Sequence, residues 1–362
     1  MRSKVVESPE AAVADLPRGA SVFVGGFSVV HGWPSSLLLA LRDLGVGDLT
    51  LICNSPGFGP LSPQVLGERN QVKKLVASFA GYPYRATPLA DAIGRGQVEL
   101  ELVPQGTLAE RARAGGAGLG GFFTPTGVGT AVQQGKEVRE IDGRLQLFER
   151  ALTADFALVR AQAADPAGNL VFRGTHRNFN PAFASAGRVT IAEADEIVAE
   201  GDLDPNEIVT PSIFVDRVVR ASVRPTRDEI MDLVRKLGRP APETPPGLRG
   251  LPPDLMAMRA AGLFADGEIV NLGIGLPTLC SNYLAARDVT LHSETGLVAY
   301  GAVPPSGHED LSLYDAGGRF VTALPAASVS DSCQAFAMAR GGMVDKIVLG
   351  GFQVSEQGDL AN

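Results

Sequence analysis

The chain has 362 residues, of which 45% are hydrophobic and 20% charged, with a formal net charge of -8 at pH 7. This length accommodates two domains of ordinary size, and the composition supports a buried core, which excludes a disordered chain. The acidic balance argues against nucleic-acid and membrane-surface partners, which select basic patches, but it allows an anionic substrate in a locally opposed pocket.

Residues 1–20 carry neither the apolar stretch of a signal peptide nor the Arg-rich amphipathic pattern of a transit peptide, and no apolar run is long enough to span a bilayer. Ser21–Val24 is an apolar strand that ends at Gly25-Gly26-Phe27. Pro34 opens a helix over Ser35–Leu44, and Leu49–Cys53 is the next strand. A further strand ends at Leu102, after which Thr107-Leu-Ala-Glu110 reads as a capping box opening a helix. Asp142-Gly143 marks a hairpin. Ala154–Ala161 is a strand, followed by a turn over Asp165–Asn169. Arg173–Pro181 is polar and opens a helix at Pro181. It is suited to holding an anion or making an interdomain contact, although base rates favour a solvated loop. The Pro-rich stretch 238–253 reads as a linker between a first domain, 1–237, and a second, 254–362.

The opening pattern returns beyond that linker. Glu268–Asn271 runs into Gly273-Ile274-Gly275, Pro277 opens a helix, and Val289–Ser293 is a strand. Leu49-Thr-Leu-Ile-Cys-Asn54 aligns with Val289-Thr-Leu-His-Ser-Glu294. Leu102-Val-Pro104, with its helix, aligns with Ala323-Leu-Pro325 and a helix of its own. The chain therefore reads as a tandem duplication of an α/β unit with a largely parallel sheet. The second copy is cut short after a strand over Lys346–Val354. By this pairing Asn54 takes in the first copy the place of Glu294 in the second. Cys53, Cys280 and Cys333 are far apart and odd in number, so no disulfide framework is expected and a reducing cytoplasm fits. His31, His176, His292 and His308 show no metal-ligand spacing, so no metal site is expected.

Glu294 ends an apolar strand before Thr295-Gly296, and in open α/β sheets the carboxyl ends of strands face the ligand crevice. A carboxylate that merely caps the turn is an equally good reading of the pattern alone. The glycines after each first strand let backbone N–H groups approach a phosphate or thioester oxygen, or simply close tight turns.

Several stretches closely resemble the family I coenzyme A transferases of the succinyl-CoA:3-oxoacid type with their two subunits fused. They are Pro104-Gln-Gly-Thr-Leu-Ala-Glu-Arg111, Ala114-Gly-Gly-Ala-Gly118, Thr124-Pro-Thr-Gly-Val-Gly-Thr130, Ala151–Leu158, Arg177-Asn-Phe-Asn-Pro181, Asn271–Thr278 and Leu291-His-Ser-Glu294. The family's Ser-Glu-Asn-Gly signature falls on Ser293-Glu294-Thr295-Gly296, which implies that Glu294 is the nucleophile. The resemblance implies ping-pong chemistry through a glutamyl-CoA thioester, with coenzyme A as substrate and covalent intermediate and no permanently bound cofactor. It also implies acyl-CoA and small carboxylic acids as partners. Asn54 becomes the expected oxyanion donor across a pseudo-two-fold interface, with backbone near Gly26 or Gly275 as a second. Gly25, Gly26, Phe27, Gln105, Gly273, Gly275, Ser293, Thr295 and Gly296 are expected to bind substrate. An acyl-CoA hydrolase and a non-catalytic CoA or metabolite sensor stay open as alternatives.

Three departures stand out. Thr295 replaces the signature Asn, four residues including His31 separate Phe27 from Gly32-Trp33-Pro34, and the family continues past Gly358–Asn362. The last leads to the expectation of a longer polypeptide or a covering partner, most simply a second copy in a homodimer.

Overall fold

The computed structural model describes residues 2–28, 32–81, 86–237, 250–285, 287–351 and 353–361; His31 and linker residues 238–249 lie outside them. The chain divides into two compact units, Met1–Leu233 and Val234–Asn362.

Unit 1 runs α1 (Pro9–Val13), β1 (Ser21–Val24), α2 (Ser35–Leu44), β2 (Leu49–Cys53), α3 (Gln64–Glu68), β3 (Val72–Ala77), α4 (Pro88–Gly94), β4 (Glu99–Leu102), α5 (Gln105–Gly116), β5 (Gly121–Thr124), β6 (Val138–Ile141) and β7 (Arg144–Arg150). It continues through β8 (Ala154–Ala164), β9 (Leu170–Val171), α6 (Asn180–Ala186), β10 (Gly187–Ile197) and β11 (Arg217–Arg220) into α7 (Arg227–Leu237), within which the division falls. The main sheet has the order β11-β10-β8-β1-β2-β3-β4, parallel throughout, with β9 antiparallel on β8. Val22, Phe23 and Val24 of β1 are all fully buried. A strand covered on both faces is a continuous apolar run, and that is how β1 reads in sequence. On one face Phe23 stacks on Phe183 of α6, with ring centroids 4.5 Å apart. Asp142 and Gly143, both at positive φ, turn β6 into β7 as expected.

Unit 2 contains α8 (Pro253–Ala261), β12 (Ile269–Leu272), β13 (Thr290–His292), β14 (Leu297–Tyr300), β15 (Ala323–Val329), α9 (Ser332–Arg340), β16 (Lys346–Val348), β17 (Gln353–Val354) and β18 (Leu360–Ala361). Its sheet order is β15-β14-β13-β12-β16. It is parallel across β13-β12-β16, and β14 and β15 continue it antiparallel.

The repeat is visible in strand register. Ser21 pairs with Thr50 and Val24 with Cys53 in unit 1, while Ile269 pairs with Thr290 and Asn271 with His292 in unit 2. Thr50 and Thr290 are the aligned pair, so the first two strands of each unit share one register.

Four local expectations are corrected. Thr107 caps no helix: α5 already begins at Gln105 behind Pro104, because the Pro104 ring pre-sets the entry. Pro325 sits inside β15 rather than at a helix start, so the pairing of Leu102–Pro104 with Ala323–Pro325 does not hold. Pro277 lies in a 3-10 helix, Leu276–Tyr283, not an α-helix. The run Lys346–Val354 breaks into β16 and β17, with Gly350-Gly351 in the gap.

Candidate active site

The turn between β13 and β14 presents Glu294. Ser293 N–H donates to Leu297 O at 2.8 Å and Gly296 N–H to Ser293 O at 3.0 Å, closing a tight loop over four residues. Gly296 holds φ +100, and a Cβ there would run into Ser330 O, so only glycine closes this turn. Ser293 and Thr295 are fully buried. Their hydroxyls lie 2.9 Å apart, and Thr295 Oγ1 donates to Tyr314 O at 3.1 Å. These two side chains, expected to meet substrate, instead anchor the turn from beneath. The Thr295 departure from the family signature therefore acts on the position of the turn. Glu294 is the one residue of the turn that is not fully buried.

Parallel pairing of Asn271 with His292 brings β12 alongside Glu294. Asn271 Nδ2 lies 3.1 Å from His292 Nδ1, 3.2 Å from His292 O and 3.3 Å from Glu294 Oε2. His292 Nε2 lies 3.1 Å from Ala335 O. A carbonyl can only accept, so the network assigns the ring proton to Nε2 and leaves Nδ1 as an acceptor for Asn271. Burial pushes the His292 pKa down, which agrees with a neutral ring. Burial pushes the Glu294 carboxyl up to about 7, opposed by its own backbone N–H and by Asn271, and reinforced by the nearby Asp315 carboxylate.

Asp315 is fully buried and clasped by Arg319. Its Oδ1 accepts from Gly317 N and Arg319 N, and its Oδ2 from Arg319 Nε at 2.9 Å. Arg319 Nη2 also donates to Thr278 O, tying this loop to the 3-10 helix that follows Gly275. Asn271, His292, Asp315 and Arg319 are parts of the site that sequence reasoning misses. Their only signal is that Asn271 and His292 fall within stretches shared with the family.

Gly273 N–H is taken by Val348 O, and a Cβ there would press on Leu349. Gly275, at φ +92, makes no N–H hydrogen bond among the described residues, which leaves it the better backbone donor of the two.

In unit 1, Asn54 follows β2 and Gln105 follows β4, at the same carboxyl edge of the parallel sheet. Gln105 Nε2 donates to Asn54 Oδ1 at 2.9 Å. That bond sets the orientation of the buried Asn54 amide, with its oxygen toward Gln105. The Gly25 and Gly26 N–H groups are already engaged, by Leu158 O and by Asn178 Oδ1 at 3.2 Å. Side chains at these glycines would strike Asn180 and the Trp33 ring. The Gly26 backbone is therefore not a free oxyanion donor, and both glycines serve close internal packing. Phe27 is buried and stacks on Phe179 rather than lining an open surface.

Arg173–Pro181 is no solvated loop. Thr175, Asn178 and Asn180 are fully buried. Asn180 Oδ1 accepts from Arg160 N, and its Nδ2 donates to Gly32 O and His176 O. The segment buttresses the loop that leaves β1.

These features are a strand-end glutamate on a glycine-closed turn and a parallel sheet with amide side chains at its carboxyl edge. The sequence pattern of the coenzyme A transferases matches residues 6–221 and 254–362, and the chain belongs to that family. Within it, the protein is a CoA-transferase similar to the 3-oxoacid enzymes. It is 40% identical to human mitochondrial succinyl-CoA:3-ketoacid coenzyme A transferase 2, in an alignment covering 100% of this chain and 72% of that one. The A-type subunit of the succinyl-CoA:3-ketoacid coenzyme A transferase of Xanthomonas campestris is 49% identical over 60% of this chain and 88% of its own length. Such separate A-type subunits cover only the first part, so the chain fuses A-like and B-like parts. The fold matches an acyl-CoA transferase of Escherichia coli O157:H7 with a TM-score of 0.78 at 21% identity, covering 100% of this chain and 71% of that one.

Proposed function

We propose that this CoA-transferase moves coenzyme A from an acyl-CoA such as succinyl-CoA to a small carboxylate such as a 3-oxoacid, by a ping-pong route through Glu294. The Glu294 carboxylate attacks the thioester carbonyl, the C–S bond breaks, and an acyl-glutamyl anhydride and CoA thiolate result. The thiolate attacks the glutamyl carbonyl, releasing the first acid as its carboxylate and leaving a glutamyl-CoA thioester. A second carboxylate runs both steps in reverse. One thioester replaces another, so the balance needs no further reactant.

The observation that carries this reading is Glu294, the one residue of a rigid, otherwise buried turn at the end of β13 that stays partly exposed, with the Asn271 amide beside its carboxyl. A carboxylate is a weak nucleophile toward a thioester in water. Fixed geometry contributes up to about 7–11 kcal/mol and each oxyanion donor about 2.7–4 kcal/mol. Asn54, oriented by Gln105, is assigned the oxyanion role, with Gly275 N–H as the backbone donor. Cys53, Cys280 and Cys333 are buried and none joins a disulfide among the described residues, which supports a reducing compartment such as the cytoplasm.

The test is incubation with succinyl-CoA without an acceptor, borohydride reduction, and peptide mass analysis. Reduction of Glu294 only after exposure to acyl-CoA is expected, and Glu294→Ala should abolish both labelling and transfer. Transfer that survives in Glu294→Ala overturns the mechanism. Steady release of free acid and CoA without an acceptor marks a hydrolase instead.

A further inference from the structure

β14 carries an irregularity next to the nucleophile turn. Ala299 adopts φ +59, a left-handed conformation that costs a residue with a Cβ about 1–2 kcal/mol. There the pairing with β15 jumps from Val298–Ser328 to Tyr300–Ala323. Simple alternation would put Tyr300 on the half-buried side of Val298. The kink instead turns it inward, into the same core cluster as Leu297, and it is 1% exposed. A strained residue that re-aims a neighbour is a common feature of functional sites.

The hydroxyl delivered by this kink has no hydrogen-bond partner among the described residues. A buried unsatisfied hydroxyl is unfavourable, and a phenylalanine would avoid that cost. The charged and titratable groups that act on it electrostatically are Asp315 and Arg319 from one loop, Glu294 from the turn, and Cys280 from the 3-10 helix; His292 flanks Glu294 from β13. Burial drives the phenol well above its usual range, and the Asp315 and Glu294 carboxylates reinforce this, so it carries its proton. The bond from Thr295 Oγ1 to Tyr314 O presses the Asp315 loop against the turn. Asp315 has both oxygens occupied by Arg319 and backbone N–H groups. Among the described residues Glu294 has one side-chain donor, Asn271, at 3.3 Å.

We propose that Tyr300 is a positioning residue for the nucleophile: its orphaned hydroxyl is the second hydrogen-bond donor to the Glu294 carboxyl, engaged when that side chain turns to react. A neutral phenol can serve the attacking carboxylate and, after acylation, the glutamyl carbonyl oxygen. The donor role rests on Glu294 being the nucleophile, and the experiment separates the two claims.

Tyr300→Phe and Glu294→Gln are compared with the wild-type chain by kcat/KM for succinyl-CoA across pH 5.5–9 and by thermal melting. Loss of a donor to a charged group should lower kcat/KM about tenfold at neutral pH in Tyr300→Phe and move the acidic limb to higher pH. Melting should be unchanged or raised, since the variant removes an unpaired hydroxyl. A role confined to packing would lower melting and leave the acidic limb in place. Wild-type kcat/KM with an unmoved limb, or lost activity accompanied by a lowered melting temperature, overturns the Tyr300 assignment. Transfer surviving in Glu294→Gln overturns the nucleophile and the Tyr300 role together.

Discussion

Asn271 holds its side-chain amide 3.3 Å from Glu294 Oε2 while the same nitrogen faces His292 Nδ1 at 3.1 Å. The two protons on this nitrogen are thus shared among the carboxylate, the neutral imidazole and His292 O at 3.2 Å. Asn271→Ala removes the donor, leaving Nδ1 unpaired and the carboxylate less stabilised. A hydrogen bond to a charged group contributes about 1.5–3 kcal/mol, so kcat/KM should fall roughly 10- to 100-fold at pH 7. Part of that loss should be recovered at pH 9, where Glu294 is ionised without help. Steady-state kinetics at the two pH values check this.

The Glu294 pKa of about 7 makes a second prediction, for both rate and stability. On the proposed mechanism Glu294 must be ionised to attack, so kcat/KM should rise about tenfold per pH unit below neutrality and level off above it. For stability, the folded-state pKa lies above the unfolded value of about 4.3, so the folded chain binds more protons between them. The contribution is fully present below pH 4 and lost as pH rises through 7. Glu294→Gln never ionises and should escape this loss. It should melt with the wild type near pH 4 and higher at pH 8, by up to roughly 3 kcal/mol. Calorimetry at both pH values decides it, and a constant difference across pH would contradict the buried-carboxyl account.

Gln105 acts on Asn54 through a single 2.9 Å bond. Asn54→Ala should cut kcat about 10²–10³-fold with little change in KM, as for the loss of one oxyanion donor. Gln105→Ala frees the Asn54 amide to rotate and should produce a smaller loss of the same kind. Equal kcat in Asn54→Ala and wild type would remove Asn54 from the chemistry.

The ion pair of buried Asp315 with Arg319 links the loop beneath the Glu294 turn to the 3-10 helix. Arg319→Ala leaves an uncompensated buried carboxylate and should cost about 3–5 kcal/mol in urea unfolding. The loop should loosen around Thr295, so activity should fall in the fraction that remains folded. Replacing both members with apolar residues should recover stability but not the turn geometry.

The residues alone determined a good deal about this protein. Apolar runs marked β1, β2, β12 and β13, with glycines just after β1 and β12. The match of Leu49–Asn54 to Val289–Glu294 is borne out in the register of the first two strands of each unit. Both signals are local, because strand burial and glycine turns act over a few consecutive residues. Family membership was also legible, since it rests on short stretches whose order along the chain is enough to recognise them.

Only the tertiary structure decided what each site residue does. Ser293 and Thr295 flank the glutamate in sequence yet point into the core, because turn geometry rather than adjacency directs a side chain. Gly25 and Gly26 read as backbone donors, but their N–H groups are taken by Leu158 and by Asn178, the latter about 150 residues away in the chain. Asp315, Arg319 and Tyr300 gave no signal of a role, and Asn271 only its place in a stretch shared with the family, since their partners come from other strands and loops. The partnerless Tyr300 hydroxyl depends on a kink at Ala299 that no propensity of alanine foretells. Long-range hydrogen bonds and shared burial set these roles, and neither is encoded in any short window of sequence.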